Sequence, residues 1–279
     1  MPENSINQLK SKLCCLHKIG SLDNWFRGEE IFISIKHSIA KNFIIVNNPK
    51  IKSDNNPSNF LKLNLDNFPT ELNSISFLIH FLVQNTVNCQ CALLINHTDV
   101  VKISQNGIGL IPISQESLLL KSHEIVEIEF YEFVNEFFTK FNSSDEDSIF
   151  DLLMKYQIKV NAAMLKNNKI FIKNVGCLVT GRTIEEAWFE GMLVVYACKT
   201  QVKLSHCIHS KNIVFPSEES KNAIKTILLD GTSNVVLINN QKSELRWLAG
   251  ELEFEATMRQ LEYSDYITGY DFKLKNIWK

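Results

Sequence analysis

The stretch Lys169–Leu204 decides the fold, and it reads KIFIKNVGCLVTGRTIEEAWFEGMLVVYACKTQVKL. Apolar and β-branched residues at Lys169–Lys173 and at Cys177–Thr180 predict two short strands that flank a turn. Thr183 and Glu186 then form a capping-box pattern, in which the threonine hydroxyl accepts from a backbone N–H and the glutamate reaches back to the cap. Two strands followed directly by a long capped helix indicate an α/β domain.

The helix that begins after Thr183 is predicted to pack against a sheet. Its apolar residues recur at helical spacing, so that one stripe contains Ile184, Trp188, Met192, Val195, Cys198 and Val202. A stripe of this length needs an extensive apolar surface to cover it.

Helices and strands are mixed along the rest of the chain, with no repeat at a fixed period. Periodicity and turn residues predict an opening helix over Asn7–Gly20, strands within Glu30–Lys36, Asn42–Asn47 and Phe60–Leu65, a helix over Ser74–Thr86, a strand at Cys91–Ile95, a short helix starting near His97 and a final helix over Glu251–Glu262. Residues Glu124–Phe141 are rich in aromatic and β-branched residues, but only part of this stretch shows the period of two that is typical of a strand.

These boundaries suggest how the chain is organised. Residues 1–210 are predicted to form the main domain, 211–246 an irregular linker and 247–279 a C-terminal extension. Within the linker, Pro216–Ser220 and Gly231–Asn234 are interpreted as helix breakers.

Composition narrows the classes of function. The chain has 279 residues, of which 45% are hydrophobic and 22% charged, a balance typical of a folded globular protein. A formal net charge of −2 provides no electrostatic reason to expect nucleic acid or an anionic membrane as a partner. No apolar run is long enough to span a bilayer, and the polar Met1–Leu9 has no signal segment, so we expect a cytoplasmic protein.

The cysteines favour the same compartment. They are odd in number, and most lie in apolar runs: Cys14, Cys15, Cys89, Cys91, Cys177, Cys198 and Cys207. The spacing of Cys89 and Cys91 is not that of a zinc knuckle. We therefore interpret the cysteines as reduced thiols packed in the core.

The quoted stretch resembles the signature of the class II aldolase/adducin family. That signature is a strand, Asn-His-Gly, a second strand, Gly, and a Thr-x-Glu-Glu-Ala helix with Ala-Cys-x-x-Gln. Upstream, Cys91–Ser114 resembles the adducin form of the metal-site strand and the following helix, and Asn7–Leu65 resembles the opening helix and hairpin. Trp247–Tyr270, which reads WLAGELEFEATMRQLEYSDYITGY, resembles the stretch that closes the adducin head. The resemblance implies a three-layer α/β/α sandwich with a central mixed or antiparallel sheet and a C-terminal helical extension.

Family enzymes hold zinc with three imidazoles, which polarise a substrate carbonyl while a carboxylate moves the proton. The resemblance places the His-x-His pair, counted back from Pro112, on Leu94 and Asn96. A shift of one residue would bring His97 to the second ligand position but leave Ile95 at the first. The third ligand position is Val175, in Asn174-Val175-Gly176, and valine cannot bind a metal.

The proton-transfer group is also missing by resemblance. The family carboxylate lies four residues before a helix histidine that matches His80, and Ser76 occupies its position. The resemblance therefore predicts a vestigial pocket without catalytic residues, metal or cofactor. Its residues are Ser76, Leu94, Asn96, His97, Asn174 and Val175.

The histidines have simpler interpretations than metal ligation. His80 lies among apolar neighbours, which favours a hydrogen-bonded core histidine. His97 either caps the helix that follows or lines the vestigial pocket, and capping is preferred. His206 and His209 could share a metal, but the sequence places no carboxylate nearby.

Two hypotheses of function remain open. The resemblance implies an adducin-like head that self-associates and binds actin or spectrin at the inner face of the plasma membrane. The alternative is a class II aldolase-type metal-dependent enzyme, or a pseudoenzyme that binds a small molecule through Ser76, Asn96, His97 and Asn174.

Overall fold

The structure is a computed structural model that describes residues 3–26, 32–36, 43–48, 57–65, 75–84, 89–106, 109–120, 130–142, 146–208, 213–231 and 247–273. The strands are β1 Ile33–Lys36, β2 Phe43–Val46, β3 Leu61–Asn64, β4 Cys91–Ile95, β5 Lys169–Ile172 and β6 Gly176–Gly181. The helices are α1 Glu3–Leu22, α2 Ile75–Gln84, α3 Thr98–Gln105, α4 Gln115–Leu119, α5 Phe130–Asn142, α6 Glu146–Lys166, α7 Ile184–Lys203, α8 Ser205–Ile208, α9 Glu218–Gly231 and α10 Glu251–Tyr263, with a 3₁₀ turn at Pro57–Asn59.

The strands form one sheet in the order β3-β2-β1-β4-β6-β5, and every described pair is antiparallel. The antiparallel form of the predicted central sheet is therefore confirmed. Strands β4 and β6 pair along their whole length, from Cys91 opposite Gly181 to Ile95 opposite Cys177. This pairing fixes which residues lie at each end of the sheet.

Alternation along the strands separates two apolar cores. On β4, Leu93 and Ile95 face a core that we call the α7 core, while Ala92 and Leu94 face one that we call the α6 core. The α7 core includes residues of α1, α3, α7 and α10, among them Leu13, Val100, Trp188, Val194 and Phe254. The α6 core includes residues of α2, α5 and α6, among them Leu82, Phe133, Phe137, Tyr156 and Val160. Helices on both faces of one sheet confirm the predicted three-layer α/β/α arrangement.

Helix α7 begins as predicted at Thr183, but its cap differs in one bond. The Thr183 hydroxyl accepts from the Glu186 backbone N–H at 3.0 Å. The Glu186 carboxylate accepts from the Arg182 N–H at 2.8 Å, so the reciprocal bond of the predicted capping box is formed one residue earlier. The Arg182 guanidinium also donates to Glu186, at 3.2 Å, which turns the carboxylate toward Arg182.

The predicted stripe of α7 is largely buried. Ile184, Trp188, Val195 and Cys198 are buried, whereas Met192 and Val202 pack at the margin of the α7 core. Trp188 is 3% exposed and meets Phe254 of α10 edge to face, with 5.3 Å between ring centres. Helix α7 thus contacts the sheet on one side and the C-terminal extension on another.

The stretch with partial strand character is helical where the structure describes it. Helix α5 covers Phe130–Asn142, and residues 124–129 lie outside the described ranges. Phe133 and Phe137 are four residues apart and both are buried, with their ring centres 6.0 Å apart. Residues four apart lie on the same face of a helix. In a strand they would also share a face, but Asn135 would then lie between them on that face, in the core. The burial of Phe133 and Phe137 therefore favours the helix.

The interval 211–246 is not irregular throughout, because α9 occupies Glu218–Gly231. The residues interpreted as a breaker form the start of this helix: the Ser217 hydroxyl accepts from the Ser220 N–H at 3.1 Å. Glu218 and Glu219 then lie in the first turn, where acidic residues favour the helix dipole. Residues 232–246 lie outside the described ranges, and the domain boundaries stay a prediction.

The C-terminal extension packs onto the main domain. Its helix α10 buries Phe254, Met258 and Leu261, as the sequence predicts. The chain then returns across α1, where the Cys15 thiol donates to the Thr268 carbonyl oxygen at 3.3 Å. Among the described helices, none has the length and hydropathy needed to cross a membrane.

We expect Trp188→Ala to lower the free energy of unfolding by about 3–5 kcal/mol, because it empties a buried site between α7 and α10. Chemical denaturation measures this loss. Tyr196→Ala is the matched control: it removes an aromatic ring from the same helix at a position that is 47% exposed, and we expect it to cost less than about 1 kcal/mol. Equal losses for both variants would contradict the orientation of α7.

Candidate functional site

The metal-site positions of the sequence analysis lie where the β5–β6 turn meets the end of β4. Gly176 has a φ of +144°, and a Cβ on it would lie 2.1 Å from the Ile95 carbonyl oxygen and 3.0 Å from the Asn96 Cα. Only glycine permits this approach. The turn before it contains Asn174 in the left-handed region at φ +64°, and the Val175 N–H donates to the Ile172 carbonyl oxygen at 3.0 Å. The fold therefore brings Asn174 and Val175 beside Ile95 and Asn96.

Two of the three ligand positions are occupied by apolar side chains of one core. Leu94 is 2% exposed and belongs to the α6 core. Val175 is partly buried and packs against the same core. Neither side chain has a lone pair, so neither can hold a zinc ion. The two residues that the resemblance places at these ligand positions therefore contribute to hydrophobic packing.

The two residues at the end of β4, Asn96 and His97, are polar, and hydrogen bonds hold them in place. Asn96 is buried and its N–H donates to the Trp25 carbonyl oxygen at 2.8 Å. His97 is the N-cap of α3, where its Nδ1 accepts from the Asp99 N–H at 3.2 Å. The predicted capping role of His97 is confirmed. Because one ring nitrogen accepts from the helix, that nitrogen is not available as a ligand in this arrangement.

The other two residues predicted for the pocket lie on a helix and on the β5–β6 turn. Ser76 is buried in the first turn of α2, a helix that packs against β1 and β4. Asn174 is exposed at the tip of its turn. The structure thus assembles Leu94, Asn96, His97, Asn174 and Val175 at one end of the sheet, while Ser76 is on the neighbouring helix. A pocket made jointly by all six residues stays a prediction.

His80, the match to the family's helix histidine, is fully buried and hydrogen-bonded. Its Nδ1 lies 2.7 Å from the Ser34 hydroxyl oxygen. The Gln84 side-chain amide donates to that same hydroxyl at 2.8 Å and to the Ser34 carbonyl oxygen at 3.1 Å. All three residues are 0% exposed, so the network joins α2 to β1 and offers no access to a substrate. The prediction of a satisfied core histidine is confirmed.

The described thiols are also unsuited to chemistry. Cys177, next to the glycine of the turn, is buried, and burial raises its pKa to about 12. Burial likewise raises the pKa of Cys15 to about 12 and that of Cys91 and Cys198 well above the ordinary value. A thiol must lose its proton to act as a nucleophile or a metal ligand. The described cysteines are buried, as predicted for thiols packed in the core.

No cluster of three histidine, cysteine or acidic side chains suited to a metal ion occurs among the residues that the structure describes. His206 is exposed on α8, and His209 lies outside the described ranges, so their sharing of a metal is left untested. Within these limits, the structure offers no set of residues that would hold zinc at the end of β4.

Two features were not recognised as structural elements from the sequence. The Gln201 side chain donates to the Gly109 carbonyl oxygen at 2.7 Å and accepts from the Ile111 N–H at 2.9 Å, so it anchors the segment after α3 to α7. Lys169 and Glu190 form an ion pair of 2.9 Å in which both residues are buried. The only signal of the pair in the sequence was a lysine at the start of an apolar strand and a glutamate within an apolar helix.

An antiparallel sheet between two helical layers, with a glycine turn against the end of its central strand, defines a class II aldolase-type domain. Residues 11–202 match the family described as Class II Aldolase and Adducin N-terminal domain, and the chain belongs to this family. The crystal structure of an aldolase II superfamily protein from Pseudomonas syringae has the same fold, with a TM-score of 0.70 over 97% of this chain and 96% of that one, at 19% identity.

Proteins similar to this chain include an adducin-related protein and a gamma-adducin. Adducin-related protein 1 of Caenorhabditis elegans is 25% identical over 279 residues, which cover 95% of this chain and 34% of that protein. Gamma-adducin of Homo sapiens is 26% identical over 276 residues, which cover 95% of this chain and 36% of that protein. The chain therefore spans about a third of the length of these relatives. The predicted family resemblance is confirmed.

We expect the purified chain to contain less than about 0.1 equivalent of zinc, because leucine and valine provide no lone pair at two ligand positions. Elemental analysis of protein prepared without chelator measures the content. His97→Ala should leave it unchanged, and so should the exposed control His206→Ala. Zinc near one equivalent that is lost in His97→Ala but kept in His206→Ala would contradict the assignment of His97 as a cap.

Proposed function

We propose that the chain is an adducin-like, non-enzymatic protein of the cytoskeleton, located at the inner face of the plasma membrane, which binds actin filaments or spectrin and self-associates. The observation that carries this proposal is the reach of the similarity. The family match ends at residue 202, whereas the adducins match 95% of the chain. The sequence similarity to adducins thus extends beyond residue 202, where the match to the family domain ends.

The site supports the non-enzymatic part of the proposal. An aldol reaction in this family needs a Lewis acid to stabilise the enediolate, and Leu94 and Val175 cannot help to bind one. These two side chains pack in the α6 core, so regaining a ligand there would disturb the packing of the domain. The apolar side chains of Leu94 and Val175 therefore support a binding protein over an enzyme.

The surface of the C-terminal extension supports the binding part. Tyr263 and Ile267 are 93% and 92% exposed, close together in the chain after α10. Leu248, before α10, is 58% exposed. Large apolar side chains that stay in water are candidates for protein contacts, because their burial releases free energy on association. We assign the self-association surface to the region of Tyr263 and Ile267.

The first test is co-sedimentation with actin filaments, with and without added spectrin. We expect the chain to pellet with the filaments in a saturable manner, with a dissociation constant on the order of micromolar for an interface of ordinary size. A zinc-containing class II aldolase of the same fold is the control and should stay in the supernatant. If the chain also stays in the supernatant at every filament concentration, with and without spectrin, the cytoskeletal proposal is wrong.

The second test is the size of the particle in solution. We expect multi-angle light scattering to find a dimer or a larger species at micromolar concentration. The double variant Tyr263→Ser/Ile267→Ser should weaken association at least about tenfold, since each side chain loses apolar burial of more than 1 kcal/mol. Tyr131→Ser, at a 51% exposed position on α5, is the matched control and should associate like the natural chain.

Surface variants are preferred here to deletion of the extension. Phe254 of α10 contacts Trp188 of α7, so a shortened chain would lose core packing as well as surface. A natural chain that is monomeric at all accessible concentrations would contradict self-association. An equal weakening by Tyr131→Ser would place the contact elsewhere.

A further inference from the structure

A cavity of about 380 Å³ lies beside α7, between α4 and the start of α10. Arg182, one of its lining residues, follows Gly181, which pairs with the first residue of β4. The vestigial site is at the last residues of β4, and none of its six residues lines the cavity. The cavity is bounded by α4, by α7 and by the residues around the start of α10. Its volume is in the range of cavities that bind small molecules.

One part of the wall is apolar and aromatic. It consists of Leu119, Phe189, Met192, Leu193 and Tyr196. Tyr196 already has a cation against it, because the Lys199 ammonium lies 5.4 Å from the centre of its ring. An aromatic face attracts a cation through its quadrupole. This part of the wall therefore suits the alkyl chain of a ligand and tolerates a positive charge.

The other part of the wall is acidic. Four carboxylates line the cavity, those of Glu116, Glu186, Glu190 and Glu253, against a single lining cation, Arg182. Two of the four are neutralised by partners: Arg182 pairs with Glu186 at 3.2 Å and Lys169 with Glu190 at 2.9 Å. Among the described residues, neither Glu116 nor Glu253 has an ion-pair partner.

Glu253 is the most informative of these groups. Its Oε2 is shielded from water and has no hydrogen-bond partner among the described residues. A carboxylate with one desolvated, unpartnered oxygen has a poorly compensated charge, which a cation beside the carboxylate would stabilise. The acidic wall therefore contains a carboxylate whose charge has no ion-pair partner among the described residues.

The shape of the site distinguishes the class of cation. The carboxylates do not form a group that could hold a metal ion within the described ranges, and apolar side chains occupy the rest of the wall. A bare divalent metal prefers several oxygen ligands around it and gains nothing from apolar walls. An ammonium group on an aliphatic chain satisfies both halves of the cavity.

We propose that this cavity binds the alkylammonium group of an aliphatic amine, with Glu253 and Glu116 accepting from the ammonium and the Phe189–Tyr196 wall covering the alkyl chain. The amine is either a free diamine or polyamine, or the side chain of a lysine in another protein. Both have the same chemistry at the cavity. The site does not depend on the cytoskeletal role proposed above, so each can fail separately.

Isothermal titration calorimetry of the full chain tests the site with three probes: spermidine, Nα-acetyl-lysine N-methylamide and Mg²⁺. We expect one of the amines to bind at a single site and Mg²⁺ to bind more weakly than that amine. Tighter binding of spermidine assigns a free amine, and tighter binding of the blocked lysine assigns a protein side chain. Either result supports the site.

Variants separate the cavity from general attraction to an acidic protein. Glu253→Gln keeps the shape and removes the charge, and we expect affinity to fall about tenfold, the size of a lost charge-assisted hydrogen bond. Ala249→Trp, at an exposed lining position, should block the cavity with little effect on folding. Glu136→Gln, an exposed carboxylate on α5, is the matched control and should bind like the natural chain.

The proposal is overturned if neither amine binds, if Mg²⁺ binds as tightly as the amines, or if Glu136→Gln weakens binding as much as Glu253→Gln does. Circular dichroism of each variant shows whether it is folded. Unchanged binding by a folded Ala249→Trp variant would also place the amine elsewhere and overturn the assignment.

Discussion

The close backbone contacts at the two ends of β6 are the constraint on which the rest of the structure depends. At one end, a Cβ on Gly176 would lie 2.1 Å from the Ile95 carbonyl oxygen. At the other end, a Cβ on Gly181 would lie 2.6 Å from the Ala187 backbone nitrogen. Real Cβ atoms do not approach so closely, so only glycine allows β6 to pair fully with β4 and the chain to enter α7 at once. Both helical layers are arranged around this strand.

The same constraint fixes the position of the β5–β6 turn independently of a metal. The contact of Gly176 with Ile95 brings the turn to the end of β4 whatever side chain precedes it. A histidine in the position of Val175 is therefore needed for zinc but not for folding. Leu94 and Val175 both contact the α6 core. Family membership thus establishes the fold of this chain, whereas its chemistry has to be read from individual side chains.

Features that depend on neighbouring residues could be predicted from the sequence. The strand at Cys91–Ile95, the start of α7 at Thr183 and the cap at His97 each follow from local periodicity or from a cap with its own donor. Features that depend on distant contacts could not. The ion pair of Lys169 with Glu190 joins residues 21 positions apart. At the site, the loss of ligands was evident from the residues, but the packing of Leu94 and Val175 in one core required the fold.

The C-terminal extension contributes residues to the cavity. Gly250 has a φ of +77°, and a Cβ on it would lie 2.5 Å from the Glu185 carbonyl oxygen and 2.7 Å from the Phe189 Cβ. This approach seats the start of α10 directly on α7. Ala249, Gly250 and Glu253 then form one wall of the cavity, so the domain of residues 11–202 could not form it without the extension. The cavity of this chain is therefore completed by residues that follow the matched family domain.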